Sequence, residues 1–244
     1  DTDEYATWGH AKRQALFYTE NSTLTLDHCY MTDHTGQVFY PKGSRLSLNA
    51  ILVQRVKTAG QLEYSATEIK NSIFADFPDD SNIYRDEDND ALYINNSDVT
   101  IDSCIFMFAK DDGIDSGGNM GGTVTISNTR FEACFHEGAA LSSSNEVVKE
   151  HTFTNCVFYN CGQGVELGYS SPNHTVFISN SVFEQNGVGI RFGDNYAHSA
   201  VNGEMFISNS NCINNKRDIW NMVRAHWGPK LSHMHFDNVR VSSP

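Results

Sequence analysis

Val99-Thr-Ile-Asp-Ser-Cys-Ile-Phe106 decides the fold, because the chain keeps returning to it. Close copies are VTISNTRF at Val124–Phe131, HTFTNCVF at His151–Phe158, VFISNSVF at Val176–Phe183, MFISNSNC at Met205–Cys212 and LTLDHCYM at Leu24–Met31. Looser copies are LSLNAILV from Leu46, ATEIKNSIF from Ala66 and MHFDNVRV from Met234. Each copy has an apolar residue two places before a short polar one, with an apolar pair close behind, and the copies recur every 21 to 32 residues. A period of that size marks a solenoid, and β-branched alternation makes its coils strands rather than helices. The expected fold class is all-β: a right-handed parallel β-helix (β-solenoid) of about nine coils. Residues 1–244 are read as a single such domain.

Aligning the copies separates structural positions from others. The short polar position runs His28, Ala50, Asn71, Ser103, Asn128, Asn155, Asn180, Asn209 and Asn238. Asparagine there suits a tight turn, and its amides can bond up and down a stack. Ile101, Ile126, Phe153, Ile178 and Ile207 form one inward file, and Phe74, Phe106, Phe131, Phe158 and Phe183 another. Cys134 and Cys161 each follow their repeat's Phe by three places, so they should stack within disulfide reach, with two packed thiols the favoured state.

A small residue recurs later in each coil: Ala15, Gly36, Gly60, Ala91, Gly113, Gly138, Gly164 and Gly189. A kink with positive φ is expected at these positions. The residue before it and the one two places after it should then face outward. The first file runs Gln14, Thr35, Ala59, Asp90, Asp112, Glu137, Gln163, Val188; the second runs Phe17, Val38, Leu62, Tyr93, Asp115, Ala140, Glu166, Arg191. Acids gather in the middle coils. Coils stack at about 4.8 Å, which brings Asp90, Asp112, Asp115 and Glu137 together, with Asp111 beside them. Such crowding is unfavourable without a cation among the carboxylates. Ca²⁺ takes six to eight oxygens in flexible geometry and is the expected occupant.

The bulk composition limits the partners. Lys and Arg total 17 against 30 Asp and Glu, a formal net charge of -13. No basic stripe is present to displace counterions, which argues against nucleic acid as a partner, although bound cations can let an acidic protein hold an anionic polymer. No apolar run is long enough to enter a membrane as a helix. The chain begins at Asp1, as would a processed protein or a domain cut from a longer one, and a secreted or cell-surface location is expected. Additional domains or self-assembly also fit, because little sequence precedes Gln14 to cap the first coil. At the other end, the segment from Asn221 to Lys230, with Trp220 before it and His226 and Trp227 inside, is expected to cover the last coils and seal the core.

Asp111-Asp112-Gly113-Ile114-Asp115 resembles the DDGxD calcium motif of family 9 polysaccharide lyases, right-handed parallel β-helix pectate lyases. That family completes its calcium site with an Asp just before the small residue of the preceding coil, a place held here by Asp90. The resemblance implies Asp90, Asp111, Asp112 and Asp115 as calcium ligands and an acidic polysaccharide as substrate. The family's base is a Lys two places after the kink; here Ala140, Glu166 and Arg191 fill that file.

β-Elimination from a uronate needs a cation to neutralise the carboxylate and a base to remove the adjacent proton. His136, next to the cluster and titrating near neutrality, is ranked first as base. Arg191, Lys110 and Lys149 are further candidates. Two other functions fit the sequence. Asp112 with Glu137 or Glu166 could hydrolyse a glycoside as an acid–base pair, at the 6.5–9.5 Å that inverting enzymes use. A non-catalytic, calcium-stabilised β-helix for adhesion or assembly is the third. The favoured expectation is a calcium-dependent lyase of a uronate-containing polysaccharide, with His136, Arg191 and Glu166 as catalytic candidates and Asp90, Asp111, Asp112, Asp115 and Glu137 around the metal.

Overall fold

The Val99–Phe106 repeat resolves into a strand, a corner and a second strand: Asp98–Asp102, a turn at Ser103, then Ile105–Ala109. The computed structural model describes residues 15–77, 90–117, 121–143, 148–193, 201–222 and 233–242. Over these residues the chain is nearly all strand, without α-helix, and winds as a parallel right-handed solenoid of about eight turns. Thr23–Asp27, Arg45–Asn49, Ala66–Lys70, Asp98–Asp102, Gly122–Ser127, Lys149–Thr154, His174–Ser179, Glu204–Ser208 and Met234–Asp237 stack as one nine-stranded sheet. No helix among the described residues is long and apolar enough to cross a membrane.

The corner after each of these strands is the polar file read from the sequence. All nine residues, from His28 to Asn238, take a left-handed φ between 48° and 58°. That conformation costs most L-residues roughly 1–2 kcal/mol and Asn least, which explains the preference at this position. The amides also form a ladder. Asn155 Nδ2 donates to Asn128 Oδ1 at 2.7 Å, and Asn238 Nδ2 to Asn209 Oδ1 at 2.8 Å. At the lower coils Asn128 Nδ2 donates to Asp102 Oδ1 and Asn71 Nδ2 to Asn49 Oδ1.

Beyond the corner, the short strands Ile73–Phe77, Ile105–Ala109, Arg130–Glu132, Val157–Tyr159 and Val182–Glu184 carry the phenylalanine file inward. Phe74, Phe106, Phe131, Phe158 and Phe183 are fully buried, and their rings stack at 4.8, 5.4, 4.8 and 4.8 Å. Each ring contributes about 1.5–3 kcal/mol by burial. A second left-handed corner follows, with φ of 49–60° at Asp33, Arg55, Asp76, Phe108, Ala133, Asn160, Gln185 and Asn214. Its mixed chemistry hid it from the repeat.

Two sequence expectations change here. Glycines 113, 138, 164 and 189 do not adopt positive φ. They are needed because neighbouring coils come too close for a side chain. A Cβ on Gly164 would sit 2.4 Å from the Gly189 carbonyl and 2.6 Å from Phe183, and one on Gly189 would lie 2.5 Å from the Asp218 carbonyl.

The register of the first coils also shifts. A bulge between His34 and Gln37 takes up Gly36, so Val38 and Ala59, not Gly36 and Gly60, align with Ala91. Val38 and Leu62 are core residues with no exposure, and the outward file there is Tyr18, Tyr40 and Gln61.

The core is not wholly apolar. Ser143 Oγ, His174, His151 and Ser116 Oγ form a buried hydrogen-bonded row, with His151 Nδ1 2.9 Å from His174 Nε2. Lys149, equally buried, donates to the carbonyls of Ser116, Gly117 and Ser142. Cys134 and Cys161 are buried free thiols. Gln14, His226 and Trp227 lie outside the described residues, as does most of the 221–230 segment expected to cover the last coils.

Candidate functional site

The third side of each coil carries the acids. Leu92–Asn95, Ile114–Ser116, Glu137–Leu141, Gln163–Leu167, Val188–Phe192 and Arg217–Asn221 pair in that order. Their register puts Tyr93, Asp115, Ala140, Glu166, Arg191 and Trp220 in one file. The pre-kink residues Glu137, Gln163, Val188 and Arg217 make a parallel file. Inward-facing Ile114, Ala139, Val165 and Ile190 are fully buried and anchor both.

The acids before the kink form a staircase in which each carboxylate is fixed by the next coil. Asp90 Oδ1 accepts the Asp112 amide at 3.3 Å, and Asp112 Oδ1 accepts the Glu137 amide at 2.8 Å. Glu137 Oε1 then receives the Gln163 side-chain amide. His136, from the same coil as Glu137, turns Nδ1 into the staircase. It lies 3.4 Å from Asp111 Oδ1, 3.8 Å from Asp112 Oδ1 and in direct contact with Glu137 Oε2. One ligand atom from each of Asp111, Asp112, His136 and Glu137 falls within 4.8 Å of the others. Asp90 and Asp115 stand outside this set of four: Asp90 touches it through the Asp112 amide, and Asp115 pairs with Tyr93 and Ala140 on the neighbouring file.

Burial and mutual repulsion set the protonation of this cluster. Asp111, Asp112 and Glu137 are each at most 6% exposed. Burial, then the charge of Glu137, pushes Asp112 well above the usual carboxylate range. Burial and Glu166 do the same to Glu137, and burial with Asp115 to Asp90. His136 moves up as well: burial opposes its charge, but Asp111, Asp112 and Glu166 outweigh that and favour the imidazolium. Each of these shifts disfavours a full set of carboxylate charges unless a cation joins them.

The donor set fits a divalent cation. Three buried carboxylates supply the hard oxygens that Ca²⁺ takes, while the imidazole nitrogen adds a donor suited to a borderline ion such as Mn²⁺ or Zn²⁺.

Further along the face the charges pair. Arg191 Nη1 lies 2.9 Å from Glu166 Oε2, and both side chains are largely buried. Lys149, a candidate base by sequence, is instead a structural cap on three carbonyls, with burial pulling its ammonium down to about 8 against the opposing charge of Asp115.

Sequence reasoning missed Trp220 and Arg217. It tracked a small residue at the kink, and the last coil has Asp218 there, opposite Gly189. Trp220 does not seal the core as its sequence position suggests. It is half-buried in the outward file, with the guanidinium of Arg191 5.3 Å and that of Arg217 4.3 Å from its ring centroid. Pairing Ile219 with Ile190 would have revealed both residues.

Among solved structures, the chain is similar to a pectin methylesterase from Yersinia enterocolitica, at 10% identity over 97% of this chain and 90% of that chain, with a TM-score of 0.41. A likeness that weak carries no weight for substrate or reaction. No curated protein matches the sequence. Residues 61–206, more than half of the chain, match the family described as "Right handed beta helix region". With the parallel coils and their register, that match is decisive: the chain belongs to the right-handed β-helix family.

Proposed function

We propose that the protein is a divalent-cation-dependent lyase, with Ca²⁺ the first candidate, cleaving an anionic uronate-containing polysaccharide outside the cell. The observation that carries this reading is the convergence of Asp111, Asp112, His136 and Glu137 into one largely buried cluster. Asp111, Asp112 and Glu137, with Asp90 supporting Asp112, would hold the ion. A cation there supplies neutralisation of the sugar carboxylate, which acidifies the neighbouring C–H.

The chain's own groups supply the rest. The staircase of amides fixes the carboxylates before substrate arrives, so no reorganisation is required at the moment of reaction. His136 is the base: with Nδ1–H held by Glu137, the neutral imidazole takes the C5 proton at Nε2 as the C4–C5 double bond forms and the bond from C4 to the leaving oxygen breaks, that oxygen taking its proton from water. Arg191, already committed to Glu166, acts in binding and not as a base.

Inverting hydrolysis by a carboxylate pair fits the geometry less well. The facing oxygens of Asp112 and Glu137 lie within 4.8 Å, below the roughly 6.5–9.5 Å that leaves room for an attacking water. Glu166 is occupied by Arg191.

The test is incubation with polygalacturonate or alginate and added Ca²⁺, Mn²⁺ or Zn²⁺, following the ultraviolet absorbance of the unsaturated product. Absorbance that needs a divalent ion and disappears in His136→Ala supports the proposal. New reducing ends without absorbance point to hydrolysis. No product with any ion, together with a melting temperature raised by Ca²⁺, points to a structural module.

A further inference from the structure

We propose that Arg217, Trp220 and Arg191 form a carboxylate-binding subsite at the C-terminal end of the site face, so that the polymer lies along the solenoid axis. This rests on the reading above and extends it to the direction and length of the substrate. Three observations support it.

The first is register. Trp220 occupies the same outward file as Asp115, with Ala140, Glu166 and Arg191 between them. The two ends are four coils apart, about 19 Å at the spacing of stacked strands. A polymer following the file meets one new side chain per coil.

The second is a change of sign. A chain with a net charge of -13 places two guanidiniums around one indole at this end of the face. Glu166 balances Arg191, whereas Arg217 is exposed and forms no ion pair among the described residues. Arg217 therefore offers uncompensated positive charge, held over the ring by a cation–π contact of about 0.5–1 kcal/mol at such a site. A guanidinium on a rigid planar support presents the fork that binds a carboxylate through two parallel hydrogen bonds.

The third is an unmet hydrogen bond. Arg191 is 4% exposed; its Nε meets Met222 Sδ and its Nη1 meets Glu166, but its buried Nη2 has no hydrogen-bond partner. A buried donor left so is costly. An oxygen brought in beside Trp220 would satisfy it.

The experiment is affinity electrophoresis of the whole chain through gels containing polygalacturonate, alginate or a neutral glucan, alongside the lyase assay. Arg217→Ala, at an exposed position, should fold normally and bind the acidic polymers about five- to tenfold more weakly, with Arg217→Lys in between. Trp220→Ala should lose about as much, and the differences should shrink in high salt. Equal retention of wild type and Arg217→Ala on the acidic gels overturns the subsite and leaves the proposed function standing. Loss of binding in Arg217→Ala, with no cleavage by wild type, supports the subsite and overturns the lyase. Wild type that ignores the acidic gels, or is held equally by the neutral one, overturns both.

Discussion

Two sides of the same coil follow opposite rules. At the corner after the nine-stranded sheet, each coil repeats one solution: a left-handed residue, usually Asn, with the amides of Asn155 and Asn238 bonded to the corner Asn of the coil below. On the site face each coil differs, from Tyr93 through Asp115, Ala140, Glu166 and Arg191 to Trp220. Repetition serves the stack, because a side chain between identical neighbours has partners above and below. Variation along a file gives up that mutual support, and in the file beside it the stacked acids Asp90, Asp112 and Glu137 show the cost of burying like charges in raised proton affinity. Conformational stability should therefore depend on the repeating positions and chemistry on the varying ones.

The strongest way to break this contrast is to remove a rung of the phenylalanine ladder. Phe158→Ala leaves a cavity between Phe131 and Phe183 and should cost about 3–5 kcal/mol, measured by chemical denaturation. If the loss were under about 1 kcal/mol, the ladder would not be the main support of the stack. Asp112→Asn should do the reverse. Its retained Oδ1 can still accept the Glu137 amide, so geometry survives while a crowded charge disappears. Activity should fall about a hundredfold, as for loss of one preorganised electrostatic group. The melting temperature without metal should rise by about 2–4 °C, the shift expected for roughly 1 kcal/mol in a chain of this size. Added divalent ion should stabilise wild type and not the variant.

The same contrast explains what could be read from sequence. The corner and both inward files were legible because a position under one constraint keeps one chemistry, and nine copies make the constraint visible. The acids from Asp90 to Glu137 were legible because Ala91, Gly113 and Gly138 mark the close approach beside them. Where the marker fails, the reading slips. The bulge at His34–Gln37 offsets Gly36, so Tyr18, Tyr40 and Gln61 were missed, and Asp218 hid Trp220. His136 is legible only as a sequence neighbour of the cluster. That its ring turns back into the carboxylates follows from side-chain packing, which no repeat encodes.

Titration separates core from site face by sign. Burial, then the neighbouring ring and Lys149, holds His151 well below the ordinary imidazole value, and burial with Lys149 takes His174 down to about 3. Both rings are neutral in the fold, while the unfolded imidazole titrates near 6.5. As pH falls below about 6.5, the unfolded chain takes up protons first and stability declines. The loss is about 1.4 kcal/mol per unit for each ring, or about 2 kcal/mol per ring at pH 5, and it continues until the folded rings titrate. Asp112 and Glu137, with raised values, respond in the opposite direction and destabilise the fold as pH rises through the carboxylate range. Denaturation of His174→Gln and wild type from pH 7 to pH 4.5 isolates the histidine part, and the variant's profile should be flatter. Parallel profiles would mean that the buried row does not titrate as its packing requires.

The smallest expected effect bears most directly on the corner. Asn155 has φ of 58° and gives its amide to Asn128. Asn155→Ala loses the ladder bond and also places a residue with higher left-handed cost at the corner, so about 1–2 kcal/mol should be lost. Asn155→Gly loses the same bond but removes the backbone penalty, so it should be the milder change. The gap between the two variants measures the backbone part, and the loss in the glycine variant measures the ladder. Ala50 already occupies the corner with φ of 51°, so the fold tolerates the conformation without an amide in an early coil. Ala50→Asn, flanked by Asn71 above, should then gain a few tenths of a kcal/mol. If Asn155→Ala cost nothing, the corner would owe its repetition to something other than conformation and amide pairing, and the division between repeating and varying faces would lose its energetic basis.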